Sequence, residues 1–280
     1  MEVNCEGCAG CCIDWRSLST AAGDYEQQGR YRPLDDTYTL VPLSSDELRR
    51  FVADGFGDVL APRLFAADEG VAVDGHTLAA IEGTPVFQVG LRKPPKPVAP
   101  FDADPAWLDT CVFLDPTTLQ CRIHGTDRYP EACATYPGDN LALDHETECE
   151  RVEAAFGGDR LREQTPPDGA GIDPMPLGAT VFGHPDAGRL AGVVERVAAA
   201  RPTDTDRAEL VAVAAAHRPG SLEVDRDRYE SARAAVLDAD SWAGRALDEW
   251  ERRANRTEPA PSAARAVEDD RGAPPTPGWD

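Results

Sequence analysis

Cysteine placement constrains this chain more than any other feature. All eight cysteines fall within the first 149 residues, and the remaining 131 have none. They are Cys5, Cys8, Cys11, Cys12, Cys111, Cys121, Cys133 and Cys149. Four crowd into the run Cys5-Glu6-Gly7-Cys8-Ala9-Gly10-Cys11-Cys12, a density that chance core packing does not produce. Cysteines two residues apart can turn both sulfurs toward one ion, and Gly7 and Gly10 ease the turns. Disulfides are disfavoured by the adjacent Cys11-Cys12 pair and by the compartment argued below. All eight cysteines are therefore the expected metal ligands. Thiolate-rich sites suit zinc and iron, including iron–sulfur clusters, alike.

The later cysteines are separated by 9, 11 and 15 residues, too far apart for one tight knuckle. The spacing therefore predicts that the two groups converge on shared metal across the 98 residues between Cys12 and Cys111. Closing such a loop costs little, because closure entropy grows only slowly with length. A structural metal returns roughly 10–16 kcal/mol.

Charge narrows the partners. The net charge of −22 repels phosphate backbones and anionic membrane surfaces, so neither nucleic acid nor membrane is an expected partner. No segment approaches the ~20 apolar residues that span a bilayer. The first residues have no basic or apolar signal region, so the expected location is the cytoplasm. Lys93 and Lys96 are the only lysines. An acidic, lysine-poor composition of this kind resembles that of proteins from salt-loving organisms, where screening relieves self-repulsion.

The expected fold is α+β. Residues 1–160 read as a small irregular cysteine-rich metal-binding domain with a helix and short strands. A Pro/Gly-rich linker follows over 161–185, an α-helical region over 186–256 and a disordered tail over 257–280. Ser44 and Glu47 form a capping-box signal for a helix with Leu48, Phe51 and Val52 on one face. Val71–Val73 and Pro85–Leu91 read as strands, and Asp74-Gly75 as a hairpin turn. The four prolines of Arg92–Pro100 suggest an extended connector. Gly157-Gly158 reads as a helix C-cap. Helices are expected over Arg189–Ala200, Asp206–His217 and Arg228–Trp250, and they leave room for a protein partner.

The motifs resemble a known family. Cys-x2-Cys-x2-Cys-Cys, then Cys111-Val112-Phe113-Leu114, Cys121-Arg122-Ile123-His124 and Pro130-Glu131-Ala132-Cys133 with Tyr136-Pro137, are similar to the YkgJ-type cysteine-cluster proteins, the zinc- or iron-chelating CxxCxxCC domain. The resemblance covers roughly residues 5–150 and implies metal binding. A flagellin lysine methylase shares it, so it also raises an iron–sulfur methyltransferase as an alternative. Metal delivery or storage is another. Arg128-Tyr129-Pro130 departs from the family's Arg-Pro, and His124 replaces a common tyrosine.

Four thiolates on Zn²⁺ leave a local charge of −2, which calls for nearby donors or cations. Arg16, Arg122 and Arg128 are the candidates closest in sequence. His124 is a weaker ligand candidate, and His145, between Asp144 and Glu146, weaker still. No phosphate loop, nucleophile elbow or HExxH is present, and no catalytic residue is identified.

Overall fold

Local signals set the first helix. In the computed structural model, which describes residues 8–19, 32–138, 146–157, 179–218, 220–254 and 256–277, helix α1 spans Ser45–Ala53. The Ser44 hydroxyl accepts from the Glu47 N–H, and the Glu47 carboxylate accepts from the Ser44 N–H at 2.7 Å, closing the capping box. Leu48, Phe51 and Val52 are buried, as their spacing predicts.

Chain contacts divide the molecule into two compact units whose segments interleave. The first comprises Met1–Tyr25, Lys93–Asp173 and Trp242–Asp280, and the second comprises Glu26–Arg92 and Pro174–Ser241. In chain order the strands are β1 (Arg32–Pro33), β2 (Leu60–Val73), β3 (His76–Leu78), β4 (Ala80–Ile81), β5 (Thr84–Leu91), β6 (Pro95–Val98), β7 (Ala106–Asp109) and β8 (Phe182–Gly183). After α1 come the helices α2 (Glu131–Thr135), α3 (Glu148–Phe156), α4 (Val193–Ala198), α5 (Asp204–Ala216), α6 (Arg226–Leu237), α7 (Trp242–Arg253) and α8 (Pro261–Asp270).

The second unit is built on an antiparallel sheet ordered β1-β2-β5-β4, with β3 also paired to β2 and β8 to β5. The register runs from Leu60 opposite Leu91 to Leu64 opposite Phe87. Asp74 and Gly75, at φ 51° and 80°, turn β2 into β3, which is the backbone an Asp-Gly hairpin requires. Helix α5 is buried on nearly every side, with Leu210 to Ala216 all inside. Its run of small residues allows close approach by α1 and the sheet. The Ser45 hydroxyl and the Arg49 guanidinium donate to the carbonyls of Ala214 and Ala215.

The first unit has much less regular structure. Its two-stranded sheet pairs β6 with β7, and buried charge fills part of its interior. Lys96 donates to the carbonyls of Val112 and Leu114 at 2.7 and 2.8 Å and pairs with Glu268 at 2.7 Å. Arg122 pairs with Glu268 at 2.9 Å and Asp115 at 3.1 Å, and donates to the Pro274 carbonyl. No helix among the described residues is long and apolar enough to cross a membrane.

Several sequence expectations require correction. The chain is α+β, but its helices are spread along it, and among the described residues no cysteine-rich metal-binding domain precedes a helical half. Among the described residues no three His, Cys, Asp or Glu side chains form a group that could hold a metal ion. The physical reason for the different division is the return of α7 and α8 to the first unit. The expected tail contains α8, whose Glu268 is fully buried between Lys96 and Arg122. The connector carries β6, with Pro95 and Pro97 tolerated because a two-stranded sheet is all edge. The helix expected over Arg228–Trp250 breaks into α6 and α7, where the Asp58 carboxylate takes both the N–H and the hydroxyl of Ser241 at 2.8 Å. Most of the 161–185 linker lies outside the described residues.

Candidate thiol site

The N-terminal loop is held to the end of β7 by its backbone. The Asp14 N–H donates to the Asp109 carbonyl at 2.7 Å, Ile13 bridges Thr110, and the Cys111 N–H donates to the Cys12 carbonyl at 2.7 Å. Cys12 and Cys111 are thus brought together across 98 residues of sequence. A second turn brings in Cys121. Asp115 accepts from the Thr117 and Thr118 N–H groups, shaping a loop that closes with Leu114 bridged to Cys121. Pro130 opens α2, which carries Cys133.

The environment of these sulfurs shows which of them influence one another. Burial pushes the Cys111 thiol up. Burial pushes Cys121 up to about 12, and negative charge on Cys111 and Cys11 adds to it. Burial also raises Cys133, reinforced by Cys111, Cys11 and Cys121. A hydrogen bond shared by the adjacent thiols lowers Cys11 and raises Cys12. Each of these five thiols is thus shifted by at least one of the others.

Lys93 is one cation at this cluster, and the charge of Lys96 also acts on Cys111. The Lys93 ammonium donates to the Cys11 carbonyl at 3.1 Å. Burial lowers its pKa, while charge on Cys12, Cys111 and Cys11 opposes the fall. Tyr129 is also near, its hydroxyl donating to the Cys133 carbonyl at 3.4 Å. Burial raises its pKa, with Cys133 and Cys121 adding to the shift. The His124 ring meets Tyr129 edge-on, with centroids 4.8 Å apart.

Of the other expected ligands, Cys8 and Cys149 lie at or on α3 and Cys5 is outside the described residues. Cys8 is buried beside Gly10 and Val152. A Cβ on Gly10 would come within 2.5 Å of the Val152 side chain and 3.6 Å of the Cys8 sulfur, so the loop can approach α3 only because glycine stands there. Cys149, on α3, is within electrostatic reach of Tyr136. Cys5 and His145 lie outside the described residues. Thr147 and Glu150 give α3 a capping box, a signal that the acidic Glu148-Cys149-Glu150 stretch conceals. Gly157 then ends the helix at φ 75°, as expected.

Two of the arginines expected to offset the thiolates, Arg16 and Arg122, have other partners. Arg16 forks onto Asp14 at 2.9 and 2.7 Å, and Arg122 is committed to Asp115 and Glu268. Sequence reasoning passed over Lys93 in favour of arginines nearer the cysteines in sequence. Its signal was that it is one of only two lysines in an arginine-dominated chain.

Fold and site together define an α+β protein whose first unit gathers cysteine thiols from distant chain segments. The chain belongs to the family of unknown function DUF7531, whose model matches residues 1–280. That match replaces the YkgJ-type resemblance, since no YkgJ-type family model matches. Short cysteine motifs can coincide between families, and the departure at Arg128-Tyr129-Pro130 marked the difference. No curated protein and no solved structure matches the chain.

Proposed function

We propose that the protein binds zinc or iron, the latter alone or as an iron–sulfur cluster, through the thiolates of Cys11, Cys12, Cys111, Cys121 and Cys133. The observation that carries this reading is the backbone pairing of the Cys111 N–H with the Cys12 carbonyl at 2.7 Å, beside which the Lys93 ammonium donates to the Cys11 carbonyl at 3.1 Å. Soft sulfur donors select these metals. Because no three donors among the described residues already form a metal-holding group, the sulfurs must draw in onto the ion. Cys5, Cys8 and Cys149 complete the set of cysteines available to it. A site of free thiols fits a reducing compartment, which supports a cytoplasmic location. The charge of −22 argues against nucleic acid as a partner. The iron–sulfur methyltransferase alternative loses its support with the family resemblance that suggested it.

Anaerobic purification, followed by metal analysis and a visible absorption spectrum, tests this function. The expected result is zinc or iron at a fixed ratio to protein, lost in Cys111→Ser. Metal-free protein, or full metal content in a Cys111→Ser/Cys121→Ser variant, would contradict it. A second reading, metal delivery, is favoured by one observation: Cys11 is exposed to solvent. A site with an exposed ligand should surrender its metal to a competing chelator within minutes, whereas a purely structural site should hold it.

A further inference from the structure

Cys111 and Cys121 bracket one short hairpin. Leu114 bridges Cys121, the Asp115 N–H donates to the Gln120 carbonyl at 2.9 Å, and the Arg122 N–H donates to the Phe113 carbonyl at 2.9 Å. A hairpin of this size has only marginal order by itself.

Its order is supplied from the far end of the chain. Glu268 of α8 is fully buried and uses both of its oxygens. Oε1 meets the Lys96 ammonium at 2.7 Å, and that ammonium holds the carbonyls of Val112, next to Cys111, and of Leu114. Oε2 meets the Nε of Arg122, next to Cys121, at 2.9 Å. One carboxylate thus fixes the chain immediately after each of the two thiols. Beyond α8, the Pro274 carbonyl accepts from Arg122 at 2.7 Å, and the Thr276 hydroxyl donates to the Asp115 carboxylate at 2.6 Å.

The apolar hold on α8 is slender. Of its ten residues only Ala264 and Glu268 are buried. Little apolar area is exposed when the helix lifts away, so it belongs among the elements that open well before the whole molecule unfolds. When it lifts, Lys96 and Arg122 lose the carboxylate they share, and the hairpin loses its clamp.

We infer that the C-terminal segment 261–277 is a latch on the thiol site, with Glu268 as its positioning residue. Closed, it holds Cys111 and Cys121 where they can draw in onto a metal. Open, it frees the hairpin and lets the metal go. The inference rests on the metal-binding reading above and adds what regulates that site: retention is set by a segment that contains no cysteine.

The test uses the full-length protein, loaded anaerobically with zinc (or with ferrous iron where zinc is not taken up) and challenged with excess EDTA. Glu268→Gln should release its metal at least about tenfold faster than the unaltered protein, the factor of one lost charge-assisted hydrogen bond. Glu268→Asp, which keeps the charge, should recover part of the retention. If Glu268→Gln does not fold, Thr276→Val decides, because it removes only the hydroxyl on Asp115 and should speed release about fivefold. Leu210→Ala, a loss of stability in the second unit, should leave the release rate within about twofold, as distant sites act independently. Release as slow in the latch variants as in the unaltered protein, or equal acceleration by Leu210→Ala, would overturn the latch and leave metal binding intact. Failure of the unaltered protein to take up either metal would defeat the metal-binding reading itself, and the latch with it.

Discussion

The two units solve the problem of cohesion differently. The second packs α5 against a six-stranded antiparallel sheet, with Leu48, Phe51, Leu64, Phe87, Val89, Leu210 and Val211 buried in it. Apolar burial, at roughly 25 cal/mol per Å², is the main source of stability there. The first unit has a two-stranded sheet, and it buries Lys96, Asp115, Arg122 and Glu268 inside. Charges removed from water are tolerated only when paired and hydrogen-bonded, so this interior depends on complete satisfaction of its polar groups. Each unit is therefore fragile in its own way: the second to lost volume, the first to a lost partner.

Breaking the first unit's charge network should have the largest effect. Arg122→Met leaves Asp115 and Glu268 partly uncompensated in the interior, and loss of one partner from a buried pair costs about 3–5 kcal/mol. Urea denaturation measures it, and a loss under about 1 kcal/mol, the scale of an exposed ion pair, would erase the contrast between the units. In the second unit, Leu210→Ala opens a cavity in the interior around α5 and should cost about 3 kcal/mol. An unchanged urea midpoint there would show that α5 is not the keystone described.

A smaller effect sharpens the account of the thiol loop. Gly10→Ala forces a methyl group against Val152, and overpacking of this kind costs about 1–3 kcal/mol. Melting temperature reads the loss, and Val152→Ala in the same chain should restore part of it. If the double variant melts no higher than Gly10→Ala alone, the close approach to α3 is not the reason for glycine.

The smallest effect concerns pH in the second unit. Burial would raise the Glu209 carboxyl, but hydrogen bonds from His184 and Tyr229 and the Arg189 charge together hold it below its usual value. A carboxylate depressed on folding contributes stability that is fully present above its unfolded pKa, about 4.3. That stability fades as pH falls through the lower folded pKa. Glu209→Gln should therefore lower stability at neutral pH and flatten its fall in acid. A parallel acid profile in both proteins would show that Glu209 carries none of the dependence.

Signals confined to a few neighbouring residues were legible in the sequence. The Ser44–Glu47 capping box, the Asp74-Gly75 turn and the Gly157 stop each act within one turn of chain, so reading them needs no knowledge of the fold. What could not be read depended on distant partners. Glu268 belongs to an acidic run typical of a solvated tail, and only Lys96 and Arg122, far away in sequence, make it a buried anchor for α8. The break between α6 and α7 likewise depends on Asp58 capturing Ser241 from 183 residues away. At the thiols, the sequence indicated that the cysteines matter and that the two groups should meet. The structure brings Cys12 and Cys111 together but leaves Cys8 beside α3. One cation that stands at the thiols, Lys93, was hidden behind arginines closer in sequence.

The central claim is that thiols from separate segments of the first unit act together on one metal. X-ray absorption at the zinc and iron edges of the anaerobically purified protein tests this most directly. The account predicts sulfur neighbours, at about 2.3 Å if the metal is zinc, with the sulfur count reduced in both Cys12→Ser and Cys121→Ser. A metal surrounded only by nitrogen and oxygen, or a sulfur signal unchanged in both variants, would contradict it.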